Sequence, residues 1–275
     1  MKYLFFDIDG TLFSYKTGLV SSAVKTIAQC RQMGNKCFIA TGRHLGSLQS
    51  VKGLEMDGVI YCNGAGIMLG DKIIDASPIS HDLLSKTVMQ FEERNGGYFL
   101  MTHDRAFVNR QEFVRRKEMC RSKKGFMKFE DMVKLLIMKN FKEYKGEEIL
   151  KIDIDFPSEE VMEDFLKVMD PGLHLASTAG YNVSLGKKSG EITRSDVSKG
   201  TALQKVVEIY GGTLADAYAF GDSSNDLEML QTAGTGIAMG NGFEEVKKAA
   251  DHVTASIDED GIAKAMYHFG LCKEV

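Results

Sequence analysis

With 275 residues, 44% of them hydrophobic, the chain is long enough to bury a sizeable core and to form two compact domains. Thirty-four lysines and arginines stand against 38 aspartates and glutamates, a net charge of −4, which gives no broad electrostatic reason to expect nucleic acid or an anionic membrane and points to a small partner. Five cysteines, Cys30, Cys37, Cys62, Cys120 and Cys272, are odd in number and contain no Cys-x-x-Cys pair, so zinc clamping and dithiol redox chemistry drop out and reduced thiols in a cytoplasm are expected. The first apolar run is broken by Asp7 and Asp9, too short and too acidic for a secretion signal, and no stretch is long enough to span a membrane.

Lys2 to Phe6 is a continuous run ending in Asp-Ile-Asp-Gly-Thr. That is the pattern of a parallel-sheet strand buried on both faces, delivering polar residues at its C-terminal end, where open α/β sheets bind ligands. Ser21 or Ser22 can cap a helix that carries Val24, Ile27 and Ala28 on one face and stops at Gly34. A second strand, Lys36 to Ala40, ends in Thr41-Gly42-Arg43. A helix through Leu48 and Val51 leads to a third strand, Gly58 to Cys62, and a short hairpin turns at Gly70-Asp71. This β-α-β-α-β alternation predicts an α/β fold with a Rossmann-like, doubly wound parallel-sheet core.

From about Pro78 the pattern changes. An amphipathic helix (Leu83, Leu84, Val88, Phe91), a strand from Tyr98 to Thr102, a basic helical stretch and an apolar helix from Met132 to Met138 follow in turn. Next come an alternating strand from Leu150 to Phe156, a helix from Ser158 to about Met169, and extended stretches His174 to Ser177 and Asn182 to Leu185, joined across Ala179-Gly180. These elements predict an inserted α+β cap domain over residues 80–189, dividing the core into residues 1–79 and 190–275. The core resumes with a helix from Lys199 to Tyr210, a strand from Ala217 to Phe220, a helix from about Asn225, a strand from Thr235 to Met239, and helices from Phe243 and Glu259.

Four clusters fall at predicted strand ends or at a helix start: Asp7-Ile8-Asp9-Gly10-Thr11, Thr41-Gly42-Arg43, Ser198-Lys199-Gly200, and Gly221-Asp222-Ser223-Ser224-Asn225-Asp226. Parallel-sheet topology brings such ends to one rim. Three or four carboxylates meeting there would repel one another in a partly desolvated site, and a hard divalent cation with oxygen ligands is the natural compensation. Magnesium fits, being held by a few carboxylates and a phosphate oxygen. Each cluster alone has an ordinary reading: Asp9-Gly10 as a turn, Lys199 as a solvated lysine, Asp222 to Asp226 as a helix cap. Their conjunction, in this order and at these locations, favours chemistry. Arg115-Arg116-Lys117 with Arg121, Lys123 and Lys124 reads as a solvated helix face sooner than as an anion funnel. Asn63-Gly64-Ala65-Gly66 is a turn too weak to support a nucleotide site, and the six histidines form no i, i+4 metal pair.

The four clusters, with Gly-Asp-Ser-Ser-Asn-Asp-Leu-Glu-Met-Leu from Gly221 and Ala-Met-Gly-Asn-Gly from Ala238, resemble the haloacid dehalogenase superfamily of phosphatases, and within it the Cof-type branch with a class IIB cap. The similarity covers the core at both ends of the chain and reaches the cap only as layout. The resemblance implies a magnesium-dependent phosphatase acting on phosphate monoesters of small metabolites, sugar phosphates or similar. It implies that Asp7 is the nucleophile, becoming an aspartyl phosphate, and that Asp9 is general acid and then base. The carboxylates of Asp7 and Asp222 and the main-chain carbonyl of Asp9 would hold Mg2+. Thr41, with the amides of Ile8 and Gly42, would donate to phosphoryl oxygens, and Lys199 would add a positive charge to the same group. Asn225 would help position phosphate, Asp226 would hold Lys199 or its loop, and Arg43 and Asn241 are candidate substrate contacts.

The chain departs from the family pattern at His44, where proline is common, and at Gly242, where alanine is usual. Phosphomannomutases share the Asp-x-Asp-Gly-Thr start and a similar cap, so phosphoryl transfer to a sugar is the alternative activity. A receiver-like signalling module, which also phosphorylates an aspartate beside magnesium, is further off because receivers are much shorter and carry no inserted cap. A small phosphorylated metabolite, with neither nucleic acid nor membrane, is the expected partner, and nothing in the sequence marks an oligomeric state.

Overall fold

A computed structural model describes residues 1–121, 128–177 and 188–273. The chain divides into two compact units, one of Met1–Gly42, Ser50–Ala76 and Val197–Val275, the other of Arg43–Gln49 and Ser77–Asp196.

In the first unit six strands run parallel in the spatial order His252–Val253, Thr235–Ala238, Ala217–Gly221, Tyr3–Phe6, Lys36–Ala40 and Gly58–Tyr61, and the sheet closes with the antiparallel pair Gly66–Leu69 and Lys72–Ala76. Tyr3–Phe6 is buried along its whole length because it lies between two parallel neighbours and is covered on both faces. Phe5 stacks on Phe38 at 4.9 Å and Phe6 on Phe220 at 4.7 Å, so each neighbour is packed through an aromatic pair as well as its ladder. Leu203, Val206 and Val207 of helix Lys199–Ile209 and Leu230 of helix Leu227–Thr232 join Phe5 and Phe38 in one core cluster. The chain proceeds from Tyr3–Phe6 toward Lys36 and Gly58 on one side and returns at Ala217 on the other. The strand order therefore reverses beside Tyr3–Phe6, the place where open sheets form a ligand crevice.

The second unit has a six-stranded sheet in the order Met138–Asn140, Ala106–Val108, Gly97–Met101, Lys151–Asp155, Ser189–Arg194 and Leu173–Ser177, antiparallel except where Met138–Asn140 meets Ala106–Val108. Phe91 of helix His81–Glu93 and Phe165 of helix Glu159–Leu166 lie 5.1 Å apart and both contact Phe156. This is an α+β unit.

Several elements differ from expectation. Ser189–Arg194 pairs with Lys151–Asp155, so the second unit runs through Asp196 instead of stopping at residue 189; Ser-Gly-Glu-Ile-Thr-Arg has one large apolar residue and no run that announces a strand. Residues 43–49 group with the second unit, where His44 Nε2 donates to the Leu136 carbonyl at 3.1 Å and the Leu45 N–H to the His103 carbonyl at 2.8 Å. The helix expected through Leu48 and Val51 is 3-10, Leu45–Val51, kinked at Leu48. The helix expected from Met132 to Met138 ends at Leu135, Ile137 takes a φ of 43°, and Met138 enters the sheet. Neither Ser21 nor Ser22 caps helix Ser21–Gln32; Val20 occupies that position without a side-chain bond, and Ser22 Oγ donates to Asp260 at 2.6 Å. The predicted stretch Asn182 to Leu185 and the turn Ala179-Gly180 lie outside the described residues. Among the described residues no helix is long and apolar enough to cross a membrane.

Asp57 ties down the strand ends opposite the crevice. It accepts from Arg31 Nε at 3.1 Å, Lys36 Nζ at 2.9 Å and the Cys37 N–H at 3.0 Å. Partial burial pushes its carboxyl up, but these donors outweigh that and hold it below the usual carboxylate range. The stabilisation is fully present above the unfolded-state value of about 3.9 and is lost as pH falls through the lower folded value. Asp57→Asn should cost about 1–2 kcal/mol near neutrality, and urea unfolding at pH 7 and pH 3 should show the gap from wild type shrinking in acid.

Candidate active site

Tyr3–Phe6 and Ala217–Gly221 end side by side, Phe6 paired with Phe220, and the Asp7 N–H extends the ladder by donating to the Phe220 carbonyl at 3.0 Å. Asp7 and Asp222 therefore leave the sheet together. Lys199 enters on the first turn of helix Lys199–Ile209, whose start is fixed by a reciprocal capping box between Ser198 and Thr201. Its buried Nζ lies 2.6 Å from Asp7 Oδ1, 2.7 Å from Asp226 Oδ1 and 3.3 Å from Asn225 Oδ1. Asp226 Oδ2 accepts the N–H groups of Asp222 at 2.9 Å and Ser223 at 3.0 Å, and the Ser223 hydroxyl at 3.2 Å. One oxygen of Asp226 holds the ammonium and the other holds the turn.

Carboxylate oxygens of Asp7, Asp222 and Asp226 lie within 4.8 Å of one another. Asp7 Oδ2 is buried and accepts no hydrogen bond among the described residues, while Asp222 Oδ1 accepts from Thr11 Oγ1 at 2.8 Å. Burial raises Asp7 to about 7 despite the opposing charge of Lys199. Burial, reinforced by Asp7 and Asp226, raises Asp222 to about 9. Burial also pulls Lys199 down, but Asp226 and Asp7 outweigh it and the ammonium is held above its ordinary value. One ammonium does not neutralise three carboxylates, and the donor set is wholly oxygen, so these residues fit a hard divalent cation. Gly10 has a φ of 88° and abuts the Asp222 carboxylate, where any Cβ would collide; only glycine lets the loop approach so closely.

Asp9, two residues beyond Asp7, is half-buried, and its Oδ1 accepts from Tyr15 Oη at 2.8 Å. The Ile8 carbonyl collects the N–H groups of Thr11, Leu12 and Phe13 at 3.3, 3.0 and 2.7 Å, winding the loop tightly. Thr41 is buried at the end of Lys36–Ala40, donates its N–H to the Ile60 carbonyl at 2.9 Å, and accepts the Asn63 N–H at 3.0 Å; Gly42 follows it. Asn63 Oδ1 in turn accepts from Asn225 Nδ2 at 3.1 Å, which links the Thr41 strand end to the acidic cluster. Asn241 Nδ2 donates to the Gly10 carbonyl at 2.8 Å and its Oδ1 accepts the Ile257 N–H at 2.7 Å, so both ends of the amide are on main chain. Arg43 belongs to the segment grouped with the second unit, where its Nη1 donates to the Ser47 carbonyl at 3.2 Å.

Two residues escape sequence reasoning: Tyr15 carries no local signal, and Asn63 reads as part of a turn. Asn63 and its neighbour Cys62 both take positive φ, 56° and 49°, an unusual conformation for residues with side chains; the Asn-Gly dipeptide was the one available cue.

A profile of haloacid dehalogenase-like hydrolases matches residues 4–266. YkrA of Bacillus subtilis (strain 168) is 29% identical over 274 residues, 99% of each chain. The pyridoxal phosphate phosphatase YbhA of Escherichia coli (strain K12) is 27% identical over 273 residues, 95% of this chain and 96% of its own. Among solved structures, the HAD subclass IIB sugar phosphatase BT4131 matches with a TM-score of 0.82 at 30% identity, covering 98% of this chain and 100% of its own. Similarity that runs through nearly the whole length, core and insertion alike, leaves one assignment: the chain belongs to the haloacid dehalogenase-like hydrolase family, as an enzyme of its Cof-type branch.

Proposed function

We propose that the chain is a magnesium-dependent phosphatase that hydrolyses phosphate monoesters of small metabolites through a phosphorylated Asp7. The observation that carries this reading is the state of Asp7: one oxygen is anchored on Lys199, and the other is buried without a hydrogen-bond partner among the described residues. A carboxylate fixed at one end and open at the other is pre-oriented for attack. Asp7 Oδ2 attacks phosphorus, the bond to the ester oxygen breaks, and that oxygen takes a proton from Asp9. Water then attacks the aspartyl phosphate and gives its proton to Asp9, and the Asp7 carboxylate departs, freeing inorganic phosphate.

The Asp7 and Asp222 carboxylates and the Asp9 main-chain carbonyl would hold Mg2+, which supplies positive charge against the phosphoryl oxygens. Thr41 and the amides of Ile8 and Gly42 would donate to those oxygens, with Lys199 opposite the developing charge and Asn225 steadying the group. Asp226, with both oxygens already engaged, acts by holding Lys199 and the 222–226 turn. Asn241, with both ends of its amide on main chain, acts by holding the Gly10 loop. Sugar phosphates and pyridoxal phosphate, the substrates in the relatives' names, bound the class of ester to be tried first, and five free thiols suit a reducing cytoplasm.

Purified protein should release phosphate from at least one such ester with Mg2+ and stop when the ion is chelated. Asp7→Asn should lower kcat by about 10³-fold or more, since the covalent route is removed; activity persisting in that variant sinks the mechanism. Asp226→Ala strands part of a buried ammonium and should cost about 3–5 kcal/mol of stability, read from urea unfolding at neutral pH.

A further inference from the structure

Thr11 stands in the loop wound on the Ile8 carbonyl, to which its own N–H donates at 3.3 Å. Its side chain is fully buried, and its hydroxyl reaches a residue 211 positions away: Thr11 Oγ1 donates to Asp222 Oδ1 at 2.8 Å. The main chain of Asp222 is held independently of that bond. Its N–H donates to Asp226 Oδ2 and its carbonyl accepts from the Phe243 N–H, both at 2.9 Å. Gly242 lies directly against it, where a Cβ would come within 3.0 Å of the Asp222 carbonyl oxygen and 3.1 Å of its Cα. These contacts seat the backbone but leave the rotation of the carboxyl group undecided, because the terminal torsion of an aspartate is broad and soft. The hydrogen bond from Thr11 acts on that torsion. β-Branching restricts the χ1 of threonine, so the loop itself aims the hydroxyl, and Gly10, with a φ of 88°, brings the loop against the carboxyl group.

We propose that Thr11 is a positioning residue for the divalent cation: its hydroxyl sets the orientation in which the Asp222 carboxyl group presents an oxygen within 4.8 Å of those of Asp7 and Asp226. This rests on the reading of Asp7 and Asp222 as cation ligands. A carboxylate binds a metal well when a further hydrogen bond fixes its own orientation, and removing such a partner lowers affinity by about 10- to 100-fold. Mg2+ is demanding in this respect, since it accepts little departure from octahedral geometry. Thr11 acts through Asp222, and its contribution is the angle at which that ligand is offered.

Cation binding measured without substrate isolates this role from turnover. Protein stripped with EDTA and dialysed would be titrated with Mn2+, the unbound ion being read from its electron paramagnetic resonance signal, and the bound Mn2+ would then be displaced with Mg2+. Substitutions at position 11 separate the hydroxyl from packing. Thr11→Val keeps the volume and loses the hydroxyl, Thr11→Ser keeps the hydroxyl and loses the methyl group, and Thr11→Ala loses both. Wild type and Thr11→Ser should bind within about threefold of each other, and Thr11→Val and Thr11→Ala about 10- to 100-fold more weakly. Asp222→Asn, which removes a ligand charge, should bind more weakly than wild type. Affinities that follow side-chain volume, with Thr11→Val like wild type and Thr11→Ala like Thr11→Ser, or that are equal at all four, overturn the role of Thr11 while Asp222→Asn still loses affinity. Thr11→Ser against Thr11→Ala is a second hydroxyl comparison, so a failure of Thr11→Val to fold leaves the test intact. If Asp222→Asn binds both ions as wild type does, the placing of the cation on this cluster fails as well.

Discussion

The buried contact of Lys199 with Asp7 and Asp226 governs the arrangement of the first unit's site. Its three residues come from the first strand, a helix start near residue 200 and the turn after Ala217–Gly221, so one ammonium joins segments that are remote in sequence. Desolvating three charges is costly, and such a group holds together only with short contacts and with its remaining lone pairs satisfied. Here Asp226 is satisfied completely and Asp7 only in part. The carboxylates outnumber the cation, which is why burial and mutual repulsion drive Asp7 to about 7 and Asp222 to about 9. Three carboxylates around one ammonium leave negative charge in excess, which is what suits the oxygen donors of this cluster to a hard divalent cation.

That cluster can exist because the sheet beneath it is over-determined. Phe6 stacked on Phe220 fixes the last residues of two neighbouring strands against one another, and the Asp7 N–H on the Phe220 carbonyl carries the register one residue further. Gly10 removes the side chain that would otherwise fill the space against Asp222. Hydrophobic packing here sets the separation of the carboxylates, and the backbone hydrogen bonds set their direction.

The alternation of buried strands and helices was legible because a parallel strand covered on both faces must be apolar throughout, as Tyr3–Phe6 and Gly58–Tyr61 are. The meeting of Asp7, Lys199, Asp222, Asn225 and Asp226 followed from the same rule, since each stood at a strand end or a helix start. What escaped depends on tertiary context. Ser189–Arg194 is a strand because Lys151–Asp155 and Leu173–Ser177 flank it, not because its residues favour one. In the 3-10 turn at Leu45–Val51 the apolar residues Leu45, Leu48 and Val51 recur every three residues, the 3-10 period, and a run this short is easily taken for one face of an α-helix. Asn63 and Tyr15 act through side-chain bonds to residues whose positions only the folded chain supplies.

Asp7 and Asp9 share one loop with a single residue between them, yet they occupy different solvents. Asp7 sits behind the strand ends, against an ammonium and out of water; Asp9 is half-buried and bonded to an exposed phenol. A nucleophile gains from being dry and fixed, because a water shell would have to be stripped before attack. An acid that must give and then regain a proton needs contact with the leaving oxygen and with water in turn, so full burial would defeat it. The tight winding around the Ile8 carbonyl is what separates the two environments within three residues, and it suits two identical side chains to the opposite halves of the reaction proposed for them.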